Sequence, residues 1–439
     1  MDIFIKVVQL LLCLSLLVFV HELGHFIAAK IFKIRVEKFY LFFNPGFSLF
    51  KFTIGETEYG MGWLPFGGYV KIAGMIDESM DTEQMKEPPK PYEFRSKPAW
   101  QRLIVMLAGI LMNIIAAIVI YIGLLSHYGE QYLPTESVNA YGIMVDSLGY
   151  NLGFRDGDKI ISIDDEKVES FYDIPEKLLL DDVEYVKVDR NDSILQIPMN
   201  KQKVGKMVQA KEAFLSPRFP FIVGDFSEDS PAQKAGMVVG DKIIAINDVQ
   251  TEYFDEFKKE IGNYANEDIV VKAMRENDTV SLIIPIADEP LIGVYPTTAG
   301  LFEIANKDYT FFEAIPAGFV KTFTTMGSYF KQLKLLFSKE VKAYKSLGSF
   351  ITIGSIFPGV WQWQVFWNLT AFISIILAVM NILPIPALDG GHVLFVLYEI
   401  IFRKKPGDKF LERAQMVGMF ILLALVALAI WNDLTRFVF

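Results

Sequence analysis

The apolar run that opens the chain, from Ile3 to Val20, passes without a break into His21-Glu22-Leu23-Gly24-His25 and on into Phe26 and Ile27. No other stretch restricts the possible folds so strongly. A segment this long and apolar reads as a membrane-crossing helix. Residues four apart on a helix stand one above the other, so His21 and His25 share a face. Two imidazoles at that spacing suit zinc, with Glu22 serving the metal's water rather than the metal. Idle His and Glu side chains would be expensive to bury among apolar residues. Only 4 His occur in 439 residues, so their pairing on one helix face is informative. Ile3 to Phe19 imitates the core of a signal peptide, but no small-x-small cleavage site follows, and the segment is expected to be retained.

Zinc held by two His needs a third protein ligand and an open position for water. Glu37, Glu56 and Glu58 are the nearby rivals, but they lie in a polar, strand-like region. Asp389 follows a helix interrupted by Pro384 and Pro386, at membrane depth, where an unpaired carboxylate has little other use. Asp389 is therefore the expected third ligand, and Glu22 the expected general base.

The rest of the chain fits a membrane protein. It is 52% hydrophobic with a positive mean hydropathy, too apolar for an ordinary soluble protein of this length. Its net charge of -10, with no basic stripe to neutralise phosphates, argues against nucleic acid as a partner. Cys13 is the only cysteine and sits in the first apolar run, where packing accounts for it. Lys30, Lys33, Arg35 and Lys38 follow the first span and mark the cytoplasmic side, which puts the N-terminus outside. Val36 to Ile72 alternates like strands, with Phe47 to Ile54 and Thr57 to Tyr59 reading as a hairpin. The second span, Leu103 to Leu125, carries Asn113 four residues after Gly109, a small and polar pair that favours close helix packing. Trp361, Trp363 and Trp367 announce the third span, Arg403, Lys404, Lys405 and Lys409 mark the inside again, and Met416 to Trp431 forms the fourth. Asp389 must return to the depth and side of His21, so four spans give a consistent topology and a fifth does not.

Between the second and third spans the chain repeats itself. Gly153, Gly157, Asp158, Ile160 and Phe171 answer Gly236, Gly240, Asp241, Ile243 and Phe254 at a constant offset of 83, which indicates a duplicated module. Ser230-Pro231-Ala232 ahead of Gly236 resembles a PDZ domain. Such modules add a chain end to a sheet edge, and here spacer and peptide binder both remain open. Phe312, Ile315, Phe319, Phe323, Met326, Phe330, Leu333 and Phe337 recur at spacings of three and four, an amphipathic helix in the interface.

The His21-Glu22-x-x-His25 run and the later Asn381, Pro384, Pro386 and Leu388-Asp389-Gly390-Gly391-His392 resemble the site-2 protease family of intramembrane zinc metalloproteases. The two PDZ-like repeats are similar to its bacterial regulator-of-sigma-E protease branch, and the resemblance covers nearly the whole chain. It implies one Zn2+ per chain, a multi-pass protein of the bacterial cytoplasmic (inner) membrane, and cleavage in or near the transmembrane segments of single-span proteins. Trimmed anti-sigma factors and remnant signal peptides are such substrates. The resemblance also places the second span against the zinc helix, where Asn113 either contributes to the site or only packs beside Gly109.

The expected fold is an α-helical polytopic membrane protein with four transmembrane helices, a membrane-re-entrant β-hairpin or sheet and two inserted PDZ-like α+β domains. The first helix covers 1–35, the re-entrant β region 36–76, a cytoplasmic loop 77–99 and the second helix 100–128. The PDZ-like domains cover 131–215 and 216–290, the interfacial helix 309–338, the third transmembrane segment 361–400 and the fourth helix 410–435. Both termini and the PDZ-like domains are expected outside, with the zinc near the cytoplasmic face. A substrate helix has to unwind before hydrolysis, and its freed backbone needs partners; an edge strand through Gly67, Gly68, Tyr69, Val70 and Lys71 supplies them. Asn381 either polarises the scissile carbonyl or holds substrate backbone, unless it only caps its helix. His392 orients a ligand from behind or is structural. Two rival readings are a non-catalytic PDZ-bearing membrane scaffold and a transporter. The complete ligand set argues against the first, and the lack of an inverted repeat of broken helices against the second.

Overall fold

The computed structural model describes residues 2–75, 87–199, 214–336 and 348–437; Phe337 and part of the 77–99 loop lie outside them. Two compact units emerge, one holding the hydrophobic helices and the other residues 130–307.

In the helical unit, α1 (Asp2–Ile31) is followed by strands β1 (Val36–Ile54) and β2 (Thr57–Ile72), then α2 (Ala99–Tyr128). After the inserted unit come α3 (Phe311–Leu336), α4 (Phe350–Ile356), α5 (Trp363–Ile382), α6 (Asp389–Phe402) and α7 (Asp408–Phe437). Among the described residues four helical stretches are long and apolar enough to cross a membrane: α1, α2, α5 and Lys409–Arg436 of α7. The helices pack by omission of side chains. A Cβ on Gly24 of α1 would come within 2.4 Å of Ala108 O, and one on Gly318 of α3 within 2.7 Å of Ile122. Small residues at such crossings let backbones approach where no hydrophobic force favours helix over lipid. This rule also governs α3. Its buried side is the small-residue run Ala314, Gly318 and Thr322, continued by Met326 and Tyr329. The aromatic stripe of Phe312, Phe319, Phe323 and Phe330 is exposed and is not the contact face.

The two strands fold into four rows. Residues 48–54 of β1 run antiparallel to 57–62 of β2. Residues 38–41 then pair on one side with 58–61, the partners advancing together, and on the other side with 68–71 in the opposite sense. The sheet order is therefore 48–54, 57–62, 36–43, 68–72, which leaves 68–72 as an outer row. Phe39 packs between Phe19 and Phe26 of α1, with ring centroids 5.8 and 5.2 Å away. Phe47, Leu49, Phe50, Phe52, Ile54 and Trp63 are exposed towards the other edge and tip.

The second unit shows why the Gly-Asp motif recurs. Strands Lys159–Ile163, Tyr185–Arg190 and Ser193–Pro198 form one sheet. Lys242–Ile246, Asp268–Arg275 and Asp278–Pro285 form its counterpart, extended by Val249–Gln250. Asp158 receives Arg190 through two hydrogen bonds of 2.7 Å, and Asp241 receives Arg275 through two of 2.8 Å. Each Arg also caps the carbonyl of the first motif glycine, Gly153 or Gly236. Those glycines have φ of 110° and 95°, a left-handed conformation other residues adopt at a cost. Burial alone would raise the pKa of Asp241, but Arg275 and the Val238 N–H hold it below the ordinary carboxylate range. Between the copies, Arg218 binds Asp255 at 3.0 Å and Glu256 at 2.6 Å, its guanidinium lying 3.8 Å from the centre of the Tyr253 ring.

Candidate metal centre and active site

Helix α1 delivers His21 and His25, and α6 delivers Asp389 as its first residue. Local sequence explains the second delivery. Pro384 and Pro386 cannot continue α5, and the chain turns through 383–388 before α6 begins. Gly390 and Gly391 let α6 start hard against that turn, since their Cβ atoms would lie 2.3 Å from Leu383 O and 2.5 Å from Ile385 O. The positive end of α6 then favours a carboxylate at Asp389.

Helix α2 orients both imidazoles. Val105 O lies 2.8 Å from His25 Nδ1; a carbonyl only accepts, so Nδ1 carries the proton and Nε2 of the neutral ring keeps its lone pair. Asn113 reaches His21 Nδ1 at 3.2 Å. Midway between them on the same face, Gly109 leaves the rings their space: its Cβ would sit 2.3 Å from His25 Nε2 and 2.7 Å from His21 Cε1. Ser374 Oγ of α5 donates to Asn113 O at 2.8 Å, and Arg102 of α2 binds Glu399 of α6 at 2.5 Å. One helix therefore aligns all the others at the site.

The donors form a nearly regular triangle. His21 Nε2 and His25 Nε2 are 3.2 Å apart, and Asp389 Oδ2 lies 3.1 and 3.3 Å from them. A tetrahedral zinc with ligands at 2.0–2.1 Å has edges of about 3.3 Å. Asp389 Oδ2 is buried with no hydrogen-bond donor of its own, as a metal-ligating oxygen should be. The residues therefore fit zinc, with the fourth corner left to water or substrate.

Glu22 is half buried beside the pair. At 100° per residue it projects about 80° round α1 from the midpoint of the two His, towards the side where Phe19 and Phe26 hold the sheet. The outer row passes close by, since a Cβ on Gly68 would meet Val18 at 3.3 Å. In that row, Gly67 takes φ 125°, Tyr69 stacks on Tyr40 and Lys71 binds Glu37 at 3.7 Å. Asn381 lies in the last turn of α5, half buried, its carboxamide making no hydrogen bond among the described residues. His392 sits one turn beyond Asp389 and lines a separate cavity. Of the rival carboxylates, Glu37 is engaged with Lys71, and Glu58 with Tyr40 and Lys51. Among the described residues the three-donor cluster contains only His21, His25 and Asp389. Sequence reasoning missed Val105, because a backbone carbonyl leaves no trace in residue identity.

Residues 9–425 match the model of peptidase family M50. The chain belongs to that family. A "Putative zinc metalloprotease" of Borreliella burgdorferi is 28% identical over 440 residues, 96% of each chain. The "Regulator of sigma E protease" of Haemophilus influenzae is 27% identical over 454 residues, covering 97% of this chain and 98% of its own. A "Putative zinc metalloprotease" of Treponema pallidum is 24% identical over 98% of both chains. This M50 peptidase is thus a zinc-dependent metalloprotease with membrane-spanning helices, and the scaffold and transporter readings fall away.

The glycine at the crossing gives a direct test. Gly109→Ala is expected to weaken zinc binding about 10- to 100-fold, the usual scale when the support behind metal ligands is disturbed. Gly123→Ala on the same helix, where nothing lies within 4 Å, should bind as the parent does. Competition with a chelator, read as zinc per chain, checks both.

Proposed function

We propose that this M50 peptidase hydrolyses peptide bonds in or next to the transmembrane segments of single-span membrane proteins, with zinc held by His21, His25 and Asp389. The observation that carries the reading is the donor triangle, its edges of 3.1 to 3.3 Å matching a tetrahedral metal, assembled by helices of membrane-spanning character. Bound zinc supplies a Lewis acid that makes water acidic enough to deprotonate near neutrality. Glu22 takes that proton on its carboxylate as the water attacks the scissile carbonyl, then gives it to the leaving amine. Asn113 fixes the His21 ring. With its amide oxygen towards Nδ1, an orientation that also gives the otherwise unpartnered oxygen a donor, His21 keeps the Nε2 lone pair for the metal.

The substrate helix unwinds, and its freed N–H and C=O groups pair with the outer row through Gly68, Tyr69, Val70 and Lys71. Asn381, whose carboxamide has no partner among the described residues, holds the substrate backbone or the scissile carbonyl. The exposed Phe47, Leu49, Phe50 and Trp63 carry the sheet into the lipid as a re-entrant element. Lys30, Lys33, Arg35, Lys404 and Lys405 put the zinc near the cytoplasmic face of a bacterial inner membrane, with both termini outside. The duplicated unit is a pair of PDZ-like domains. Joined at both ends to membrane helices, it shares the space beside the bilayer with any substrate, and so it excludes those still carrying a bulky outer domain.

Glu22→Gln should abolish cleavage of a single-span reporter in proteoliposomes while leaving one zinc per chain. Normal turnover in that variant would end the mechanism. Replacing residues 131–290 by a short flexible linker should admit untrimmed reporters without slowing trimmed ones. Loss of both activities would mean that the unit recruits substrates instead of sorting them.

A further inference from the structure

Away from the zinc donors, the helical unit contains a cavity of about 60 Å³ lined by Arg95, Arg102, His392, Lys405 and Gln415 together with apolar side chains. None of His21, Glu22, His25 and Asp389 lines it. Among the described residues its polar wall is one-sided in charge, because no Asp or Glu is in that lining. The Arg95 and Arg102 side chains are 7% and 8% exposed, so both guanidinium groups are desolvated and fixed. Glu93 holds Arg95 at 2.6 Å and Glu399 holds Arg102 at 2.5 Å, and neither glutamate is among the lining residues. Lys405 is exposed at the rim and has no carboxylate partner among the described residues, so the described lining carries a net positive charge.

Two features narrow the occupant. Arg102 lies in the first turn of the candidate span Ala99–Tyr128, and Leu411 in the first turn of Lys409–Arg436, so the cavity sits at the level where spans leave the hydrocarbon. Phe94, Phe395, Leu411 and Pro386 complete its wall, which suits a ligand with an anionic tip on an apolar body. We propose that this cavity binds a phosphoryl anion, the headgroup phosphate of an anionic phospholipid. Basic pockets between membrane helices are suited to such headgroups, and guanidinium forks match phosphate oxygens in geometry as well as charge. Free phosphate offers the same tip without the stem. The occupant would also brace the active site from behind, because Pro386 in the wall lies three residues before Asp389 and His392 lies on the helix that Asp389 begins.

The test uses the full chain in nanodiscs of phosphatidylcholine, with and without phosphatidylglycerol, and reads lipids retained on release by native mass spectrometry together with the thermal midpoint. Phosphatidylglycerol should be retained in preference and should raise the midpoint. Lys405→Glu reverses an exposed rim charge and should fold normally; it is expected to cut that preference about tenfold, the worth of one charge-assisted contact. Lys404→Glu makes the same charge change on an exposed neighbour outside the lining and should keep the preference. In neutral nanodiscs, added inorganic phosphate that raises the midpoint of the parent and of Lys404→Glu, but not of Lys405→Glu, would identify a soluble anion as the source. Equal retention of both lipids with no response to phosphate would overturn the proposal. So would equal losses in the two variants, because general surface charge would then suffice.

Discussion

The close crossing of α1 and α2 is the constraint on which the rest depends. Gly24 brings the first helix against the Ala108 carbonyl, and Gly109 receives the two imidazoles in the space a methyl group would fill. That proximity puts Val105 O and Asn113 within reach of the outer nitrogens of the rings. The same face of α2 continues to Arg102, which clamps the helix carrying Asp389, and Asn113 O receives Ser374 of α5. A chain with bulkier residues at these two glycines could still cross the membrane. It could not close the donor triangle.

Much of the site was legible because metal chemistry restricts residue identity and spacing so tightly. Two His at helical spacing and a distant carboxylate beside paired prolines have few other uses in an apolar setting, and the fold brings His21, His25 and Asp389 together. What supports them was less legible. Val105 acts through its backbone, and Gly109 acts through what it lacks. Asn113 stood out only as a polar residue in a span, with packing as good an explanation as a role at the site; the structure puts it 3.2 Å from His21 Nδ1.

Elsewhere, the membrane setting decides which face packs. The aromatic residues of the helix read as interfacial, Phe312, Phe319, Phe323 and Phe330, are exposed, and the helix packs through Ala314, Gly318 and Thr322. Beside a membrane, large apolar side chains gain nothing by turning from lipid to protein, whereas small ones gain contact between backbones. Strand alternation in 36–72 was readable from sequence, but the order of the rows was not. That order depends on one stretch of β1 pairing with β2 on both sides, a long-range register that a local pattern does not encode. The repeat at offset 83 was plain, and in each copy an Asp–Arg pair ties the glycine turn to its sheet.

Zinc K-edge absorption on the purified, metal-loaded chain reads the donor set itself. Ligation by His21, His25 and Asp389 predicts one zinc with nitrogen and oxygen neighbours at about 2.0–2.1 Å and the multiple scattering of two imidazoles. His25→Ala should lose roughly half of that imidazole signal if metal remains. A spectrum with a sulfur neighbour at about 2.3 Å, or without imidazole scattering, would contradict it.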